Sequence, residues 1–280
     1  MTQPKVCLTT NGTPYLKEPG VALLAAPAVD LGGMEPFLSE FDPDLSFDEY
    51  LNDDGYMSSG SELCKAAGQL CYMSFGPGRT KNAEARKYFD NIKSSGHGSV
   101  LEHANFSLLF WGISRSCTHE LVRHRAGFAY SQVSQRYVSG KTLRFVERPE
   151  YQHDEVMHTR FTARIDSARA EYDLLAEHLM TKSALVLDSM TKTERRKAVN
   201  QTARSCLPNE TEAPIVVTGN ARAWRHLLEM RGSPHAEPEI RRLAVQSLFV
   251  LQDAETEIFS DFTVLKDGAL EHLESKWRKV

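Results

Sequence analysis

The chain has 280 residues and a mass of 31.5 kDa, with 41% hydrophobic and 25% charged residues, a globular balance that excludes general disorder. No apolar run approaches the roughly 20 residues of a membrane span, and residues 1–10 lack the layout of a secretion signal. Five cysteines at irregular positions do not form a disulfide framework, so we expect a cytoplasmic protein with no membrane partner.

Charge and proline content divide the chain near residue 60. Residues 18–64 contain eleven Asp or Glu and no Lys or Arg, whereas residues 65–280 carry a net charge of +5. Six of the twelve prolines lie at or before Pro43. We therefore expect residues 1–60 to form an acidic, loop-rich N-terminal leader and residues 61–280 to form the main domain. A mildly basic domain suits anionic ligands, but its charge is too small to indicate nucleic acid.

Hydrophobic periodicity and turn residues predict the elements in chain order. Helices are expected at 61–74, 81–95, 113–124, 154–181, 192–205, 220–231 and 236–259, strands at 104–111 and 142–148, and a loop at 126–140. The long helix at 154–181 has the clearest stripe, which runs from Phe161 through Ile165 and Tyr172 to Leu179. The expected fold class is α+β, a helix-rich single domain with a small sheet.

Chemistry-bearing residues are densest between Arg115 and Arg136. Four arginines and one glutamate give this segment a net charge of +3 within 22 residues. Arginine forks match phosphate oxygens bidentately, which favours a phosphate-bearing small molecule as ligand. The alternative is that arginines near the end of a helix only complement its dipole.

A zinc site is excluded in this segment. His119 and His124 are five residues apart, whereas the zinc-protease motif needs histidines four apart on one helical face. A spacing of five turns the second ring roughly 140° away from the first, at about 100° per residue. We therefore expect no metal site.

The same segment resembles a known family. Arg123-His124-Arg125, eight intervening residues and Ser134 resemble the R-H-R-x(7–8)-S motif of flavin-dependent thymidylate synthases, here in its x8 form. Four further segments follow the family's order: His97–His103, Ala203–Pro208, Asn220–His226 and Met230–Glu237. The resemblance covers about residues 60–260 and leaves the acidic leader unmatched.

The resemblance implies a fold, a reaction and an assembly. The fold would be that of the family, with residues 61–280 as its catalytic domain. The reaction would be reductive methylation of dUMP to dTMP with 5,10-methylenetetrahydrofolate, in which NADPH reduces FAD and tetrahydrofolate is released. The family forms homotetramers with active sites between subunits. No nucleic acid partner is implied.

The resemblance also assigns roles to individual residues. The positions that match FAD contacts are Ser99, Glu102, Arg123, His124, Arg125, Gln132, Asn220, Arg222 and His226. The positions that match dUMP contacts are Glu120, Arg123, Gln132, Ser134, Gln135, Arg136, Arg204 and Arg231. Arg231 matches the catalytic position, where a fixed cation beside the N3–C4 edge of uracil would make C5 more nucleophilic.

Ser134 is assigned to substrate binding and not to nucleophilic attack. A serine nucleophile needs an adjacent base, and Gln132, Gln135 and Arg136 cannot act as one.

Two other classes of protein stay open at this stage: a relative that binds nucleotide or flavin without turnover, and a nucleic-acid binder. A flavin absorbance that bleaches on NADPH would exclude the nucleic-acid binder and count against the relative without turnover.

Overall fold

A computed structural model of the chain describes residues 4–53, 55–82, 84–138, 140–182, 189–268 and 270–278. The remaining positions fall outside this description, as do the parts of the predicted segments that contain them. Within the described ranges the fold is α+β and helix-rich, as predicted.

The strands form three separate sheets. They are β1 (Cys7–Leu8), β2 (Pro14–Leu16), β3 (Gly20–Ala25), β4 (Asn105–Trp111), β5 (Phe128–Gln132), β6 (Phe145–Val146), β7 (Ile215–Asn220), β8 (Phe262–Asp267) and β9 (Leu270–Ser275). The central sheet is antiparallel and has the order β3-β4-β7-β5. A smaller sheet joins β1, β2 and β6, and β8 pairs with β9 as a hairpin.

The helices surround the central sheet. They are α1 (Glu35–Leu38), α2 (Ser59–Leu70), α3 (Ala85–Ser94), α4 (Arg115–Leu121), α5 (Glu155–Lys182), α6 (Lys192–Ala203), α7 (Ala221–Arg231), α8 (Pro238–Ala254) and α9 (Thr256–Phe259). The predicted helices up to α7 are confirmed, with ends that agree within four residues of those predicted.

The main core lies between the central sheet and helices α7 and α8. Trp224 of α7 is fully buried there, with its ring centroid 5.0 Å from that of Phe128 and 6.1 Å from that of Phe110. Its indole N–H donates to the Phe106 carbonyl at 3.3 Å, so its polar atom is satisfied. Loss of a fully buried Trp typically costs about 3–5 kcal/mol, so this contact fixes α7 firmly on the sheet.

Two predictions, one of a loop and one of a strand, need correction. The segment 126–140 was expected to be a loop, but its residues Phe128–Gln132 form β5 and pair with β7. Its side chains alternate between half-buried and exposed, which is the period of a strand at the edge of a sheet. The strand expected at 142–148 is only Phe145–Val146, which pairs with β2 in parallel.

The single helix expected at 236–259 is also wrong. It is interrupted at Glu255, whose φ of −144° and ψ of 78° are not helical. The Glu255 carboxylate accepts hydrogen bonds from the Gly60 and Ser61 backbone N–H groups at 2.7 and 3.0 Å. The break thus directs a buried carboxylate to the N-terminus of α2, where a negative charge is favourable.

The N-terminal segment contributes a strand to the central sheet. β3 pairs with β4 along its length, from Gly20 opposite Trp111 to Ala25 opposite Ser107. The remainder of the segment up to residue 51 is mainly short helical turns. The division of the chain at residue 60 stays a prediction, but β3 is part of the sheet on which the site is built.

Candidate active site

Helix α4 and the turn after it carry the first group of predicted site residues. Ser114 begins the helix, because its hydroxyl accepts a hydrogen bond from the Cys117 N–H at 3.1 Å. After Leu121 the chain turns through Arg123-His124-Arg125 and enters β5. The Tyr130 hydroxyl of β5 donates to the Leu121 and His124 carbonyls, at 3.1 and 2.5 Å, and so fixes this turn.

Arg231, the last residue of α7, joins Glu120 and His124 in one cluster. Its Nη1 donates to Glu120 Oε2 at 2.7 Å, and its Nε donates to His124 Nε2 at 2.8 Å. Its Nη2 makes a longer contact of 3.4 Å with the Glu120 carbonyl. A guanidinium has five N–H donors, so two remain for a ligand within the described part of the chain.

His124 is held neutral in this cluster. Burial, together with the positive charges of Arg231, His226 and Arg123, lowers the pKa of His124 to about 4. At neutral pH its Nε2 therefore accepts the Arg231 hydrogen bond, and the cation of the cluster is Arg231. The His226 ring centroid lies 5.8 Å from that of His124, so two predicted FAD-contacting segments meet here.

A cleft of about 670 Å³ lies beside α4, and we refer to it as the arginine cleft. Three residues predicted to contact dUMP line it, namely Glu120, Arg123 and Gln132. Arg115 and Asn209 line it as well and were not among the predicted site residues. The signal for Arg115 was the excess of arginine between residues 115 and 136, but no periodicity distinguished it from the others.

Arg204 lies close enough to Arg115, which lines the arginine cleft, for the two positive charges to interact. Burial and the nearby charge of Arg204 lower the pKa of Arg115. Neither guanidinium forms an ion pair in the described part of the chain. Two adjacent cations without a counter-ion favour an anionic ligand, and a phosphate dianion would neutralise both.

The predicted FAD-contacting residues nearest the N-terminus of the chain lie at a different cleft. It has a volume of about 610 Å³, and we call it the tyrosine cleft. Ser99 and Arg222 line it, with Tyr72, Tyr88 and His97. Arg222 Nη1 donates to Glu102 Oε1 at 2.6 Å, so these two predicted residues contact each other at the surface.

Close packing brings the turn after α4 against the start of α7. Gly127 has a φ of +75°, and a Cβ there would lie only 2.8 Å from the Ala223 Cβ. A glycine is therefore required both by the backbone conformation and by the approach. Asn220 caps α7 by accepting from the Ala223 N–H at 2.9 Å, and its own N–H donates to the Gly127 carbonyl.

The remaining predicted residues follow β5. Gln135 lines a third cleft of about 450 Å³, and its Nε2 is buried without a hydrogen-bond partner among the described residues. The Nε of Arg136 is likewise buried and has no partner among those residues. Ser134 accepts from the Arg136 N–H at 3.3 Å, in the turn that leaves the sheet. Among the predicted residues, the arginine cleft is lined by Glu120, Arg123 and Gln132, the tyrosine cleft by Ser99 and Arg222, and the third cleft by Gln135.

The described ranges contain neither a metal-binding cluster nor a membrane-spanning helix. No group of three or more His, Cys, Asp or Glu side chains there could hold a metal ion. In those ranges no helix has the length and apolar character needed to cross a bilayer.

Comparison with solved structures agrees with this fold. A crystal structure of the UMP/dUMP methylase PolB from Streptomyces cacaoi, bound with 5-Br dUMP, superposes with a TM-score of 0.58. It shares 18% sequence identity, over 87% of this chain and 94% of that one, and so has the same fold.

Sequence comparisons are more specific. The family described as thymidylate synthase complementing protein matches residues 55–254. The flavin-dependent thymidylate synthases of Mycolicibacterium gilvum and Mycobacterium tuberculosis H37Rv are each 47% identical over 211 residues. In both cases the match covers 75% of this chain and 83% of the relative. The chain belongs to the flavin-dependent thymidylate synthase family, and it is an enzyme that uses FAD.

Proposed function

We propose that the arginine cleft binds dUMP and that the enzyme methylates it at C5 to give dTMP. The observation that supports this most is the arrangement of Arg115, Arg123 and Arg204, which have no ion-pair partner in the described ranges, beside the paired Arg231. A nucleoside monophosphate suits this arrangement. Its phosphate dianion can pair with the arginines that have no ion-pair partner in the described ranges, and one edge of its base can face Arg231.

The phosphate end of dUMP is assigned to Arg115 and Arg204, with Arg136 as a further donor. Each charge-assisted hydrogen bond to phosphate is worth about 1.5–3 kcal/mol. The repulsion between Arg115 and Arg204 is relieved when the dianion binds, which favours the bound state. The Nε of Arg136, which is buried and has no partner in the described part of the chain, is the donor that this assignment offers to the phosphate.

Arg231 is assigned to the uracil ring. C5 of uracil must become electron-rich before it can attack the one-carbon unit of methylenetetrahydrofolate. A cation at the N3–C4 edge stabilises the negative charge that develops there, and arginine does so without titrating. Glu120 and the neutral His124 hold the guanidinium in place, so the two remaining N–H groups have a fixed direction.

FAD fits the surface formed by Arg125, Arg222 and the N-terminus of α7. Both arginines are exposed, and the helix N-terminus adds a positive dipole end, so a diphosphate would be favoured there. Ser99, Glu102, His124, Asn220 and His226 complete the proposed contacts. FAD held by these residues would, once reduced by NADPH, supply the hydride that completes the methyl group.

The proposed assembly is a homotetramer in the cytoplasm, with each active site between subunits. It is supported by the distribution of the predicted residues over separate clefts of one chain. Contacts between chains would place the tyrosine cleft of one subunit against the arginine cleft of another. The folate would then bind where these surfaces meet.

Flavin and ligand binding test the proposal before any turnover is measured. The purified protein should carry a flavin absorbance that bleaches on addition of NADPH, and it should bind dUMP stoichiometrically. Arg115→Ala should weaken dUMP binding about tenfold or more and leave the flavin content unchanged. Equal loss of both ligands would contradict the assignment of the arginine cleft to dUMP.

A further inference from the structure

A buried carboxylate lies at the start of α8, eight residues after Arg231. Glu239 is only 3% exposed, and its two oxygens accept hydrogen bonds from Ser114. Oε1 accepts from the Ser114 backbone N–H at 2.6 Å, and Oε2 accepts from the Ser114 hydroxyl at 2.7 Å. Both carboxylate oxygens are therefore used to hold one residue.

Ser114 is the residue that begins α4. Its hydroxyl donates to Glu239 and also accepts from the Cys117 N–H, so it links α8 to the first turn of α4. A helix of seven residues is unstable by itself, and its position depends on tertiary contacts. Glu239 is one such contact, at the end of the helix that carries Arg115.

The same contact connects α4, which lines the arginine cleft, to the segment that follows Arg231. Arg115 and Glu120 lie on α4, and Glu120 binds Arg231 at the end of α7. Glu239 follows Arg231 by eight residues and returns to α4 at Ser114. The two ends of α4 are therefore tied to one segment of the chain, once by Glu120 and once by Glu239.

We infer that Glu239 is a positioning residue for the dUMP site, which fixes α4 so that Arg115 and Glu120 face the substrate. The inference rests on the proposed function, because it takes dUMP as the ligand of the arginine cleft. Glu239 does not itself line that cleft, so it acts through Ser114.

The pKa of Glu239 determines the pH at which the test is done. Burial raises its pKa to about 6; the Ser114 hydrogen bonds and Arg148 oppose this shift, and Glu237 adds to it. At pH 8 the carboxylate is ionised and accepts both hydrogen bonds. Binding should therefore be measured at pH 8, where His124 is neutral as well.

The test compares Glu239→Ala, Glu239→Gln and Ser114→Ala by titration of the FAD-loaded protein with dUMP. Glu239→Ala should weaken dUMP binding about tenfold, because a shift of α4 would misplace one charge-assisted hydrogen bond from that helix to dUMP. Glu239→Gln keeps an acceptor for the Ser114 N–H and should recover part of this loss. The double variant Glu239→Ala with Ser114→Ala should lose less affinity than the two single losses added together, because the two changes share the hydrogen bond between the Ser114 hydroxyl and Glu239.

Glu255→Ala is the matched control. Glu255 is 2% exposed and accepts from the Ser61 N–H and hydroxyl at 3.0 and 2.8 Å, so it caps α2 as Glu239 supports α4. Its loss should lower the melting temperature by a similar amount and leave the dUMP affinity unchanged. A parallel fall of affinity and melting temperature in both variants would show that Glu239 only stabilises the fold.

The remaining outcomes separate this inference from the proposed function. If the wild-type protein binds dUMP and all three variants bind it equally well, Glu239 does not position the site and the proposed function stands. If the wild-type protein does not bind dUMP, the proposed function fails and the inference fails with it. If Glu239→Ala does not fold, Glu239→Gln and Ser114→Ala still decide the question.

Discussion

Arg231 is the residue for which structure and chemistry make the sharpest prediction. Arg231→Lys keeps the charge but removes the Nε donor to His124 and the planar fork held by Glu120. An interaction that is stronger in the transition state than in the ground state should affect the chemical step more than binding. Single-turnover dTMP formation from pre-reduced enzyme should fall by about one to two decades, the value of one charged hydrogen bond.

The control for Arg231→Lys is Arg169→Lys. Arg169 pairs with Asp173 on the surface of α5, so the same exchange there removes a fork far from α4 and α7. Single-turnover dTMP formation should be unchanged in Arg169→Lys. If Arg231→Lys forms dTMP near the wild-type rate while its dUMP affinity collapses, Arg231 is a binding residue and its catalytic assignment is wrong.

Arg204 gives a prediction about binding and stability together. Burial and, after it, the charge of Arg204 lower the pKa of Arg115, so removing Arg204 relieves this repulsion and Arg204→Ala should not lower the melting temperature of the ligand-free protein. It should weaken dUMP binding by about 1.5–3 kcal/mol, and hence by about one to two decades.

Thermal unfolding with and without dUMP measures both effects of Arg204→Ala. Saturating dUMP raises the melting temperature of a protein that binds it, by mass action. This rise should be smaller in the variant, while FAD binding stays close to that of the wild type. An equal loss of FAD and dUMP binding would mean that Arg204 supports the fold.

At the scale of elements, the turn after α4 makes stability depend on pH. The pKa of His124 is lowered to about 4 by burial and by its cationic neighbours, against about 6.5 in an unfolded chain. As the pH falls below 6.5 the unfolded state binds a proton that the folded state does not, so the free energy of unfolding decreases until about pH 4. Above pH 6.5 this contribution is fully present.

Urea denaturation of wild type and His124→Gln at pH 7 and pH 5 measures this contribution. The loss of stability between the two pH values should be larger in the wild type. The raised pKa of Glu239, about 6, acts in the opposite direction, but it is present in both proteins and cancels in the difference. Identical pH dependence in the two proteins would show that His124 titrates normally when folded.

Elements with a local signal were predictable, and those that depend on distant pairing were not. The stripe of α5 is visible in its own sequence, and the prediction of 154–181 is confirmed as Glu155–Lys182. β3 becomes a strand by pairing Gly20 with Trp111, and β5 by pairing Phe128 with Gly219. Contacts across some 90 residues leave no periodicity near either partner.

The candidate site likewise has residues that the sequence predicts and features that depend on packing. Motif spacing was sufficient to select Arg123, His124 and Arg231, since the resemblance carries residue identities. The neutral state of His124 follows only from the packing of the turn after α4 against α7, and the repulsion between Arg115 and Arg204 follows only from the contacts of α4 with the segment after α6. The link between Glu239 and Ser114 joins residues 125 positions apart.

At the scale of the whole molecule, the separate clefts predict an active site shared between subunits. The solution mass should be about four times the chain mass of 31.5 kDa.

Arg222→Ala and Arg231→Ala alter different proposed binding surfaces, and each variant should be nearly inactive alone. After mixing under conditions that exchange subunits, about a quarter of the sites should combine two intact surfaces and recover activity. Mixtures that stay inactive despite subunit exchange would place both clefts in one subunit's site.

The central claim is that the enzyme methylates dUMP at C5 with a folate one-carbon unit and reduced FAD. Release of tritium from dUMP labelled at C5 measures this most directly, because the C5 hydrogen must leave for the methyl group to replace it. Release should require methylenetetrahydrofolate and reduced flavin together, and it should stop when FAD is removed and resume when FAD is restored. Tritium release that persists in the flavin-free protein would contradict the account.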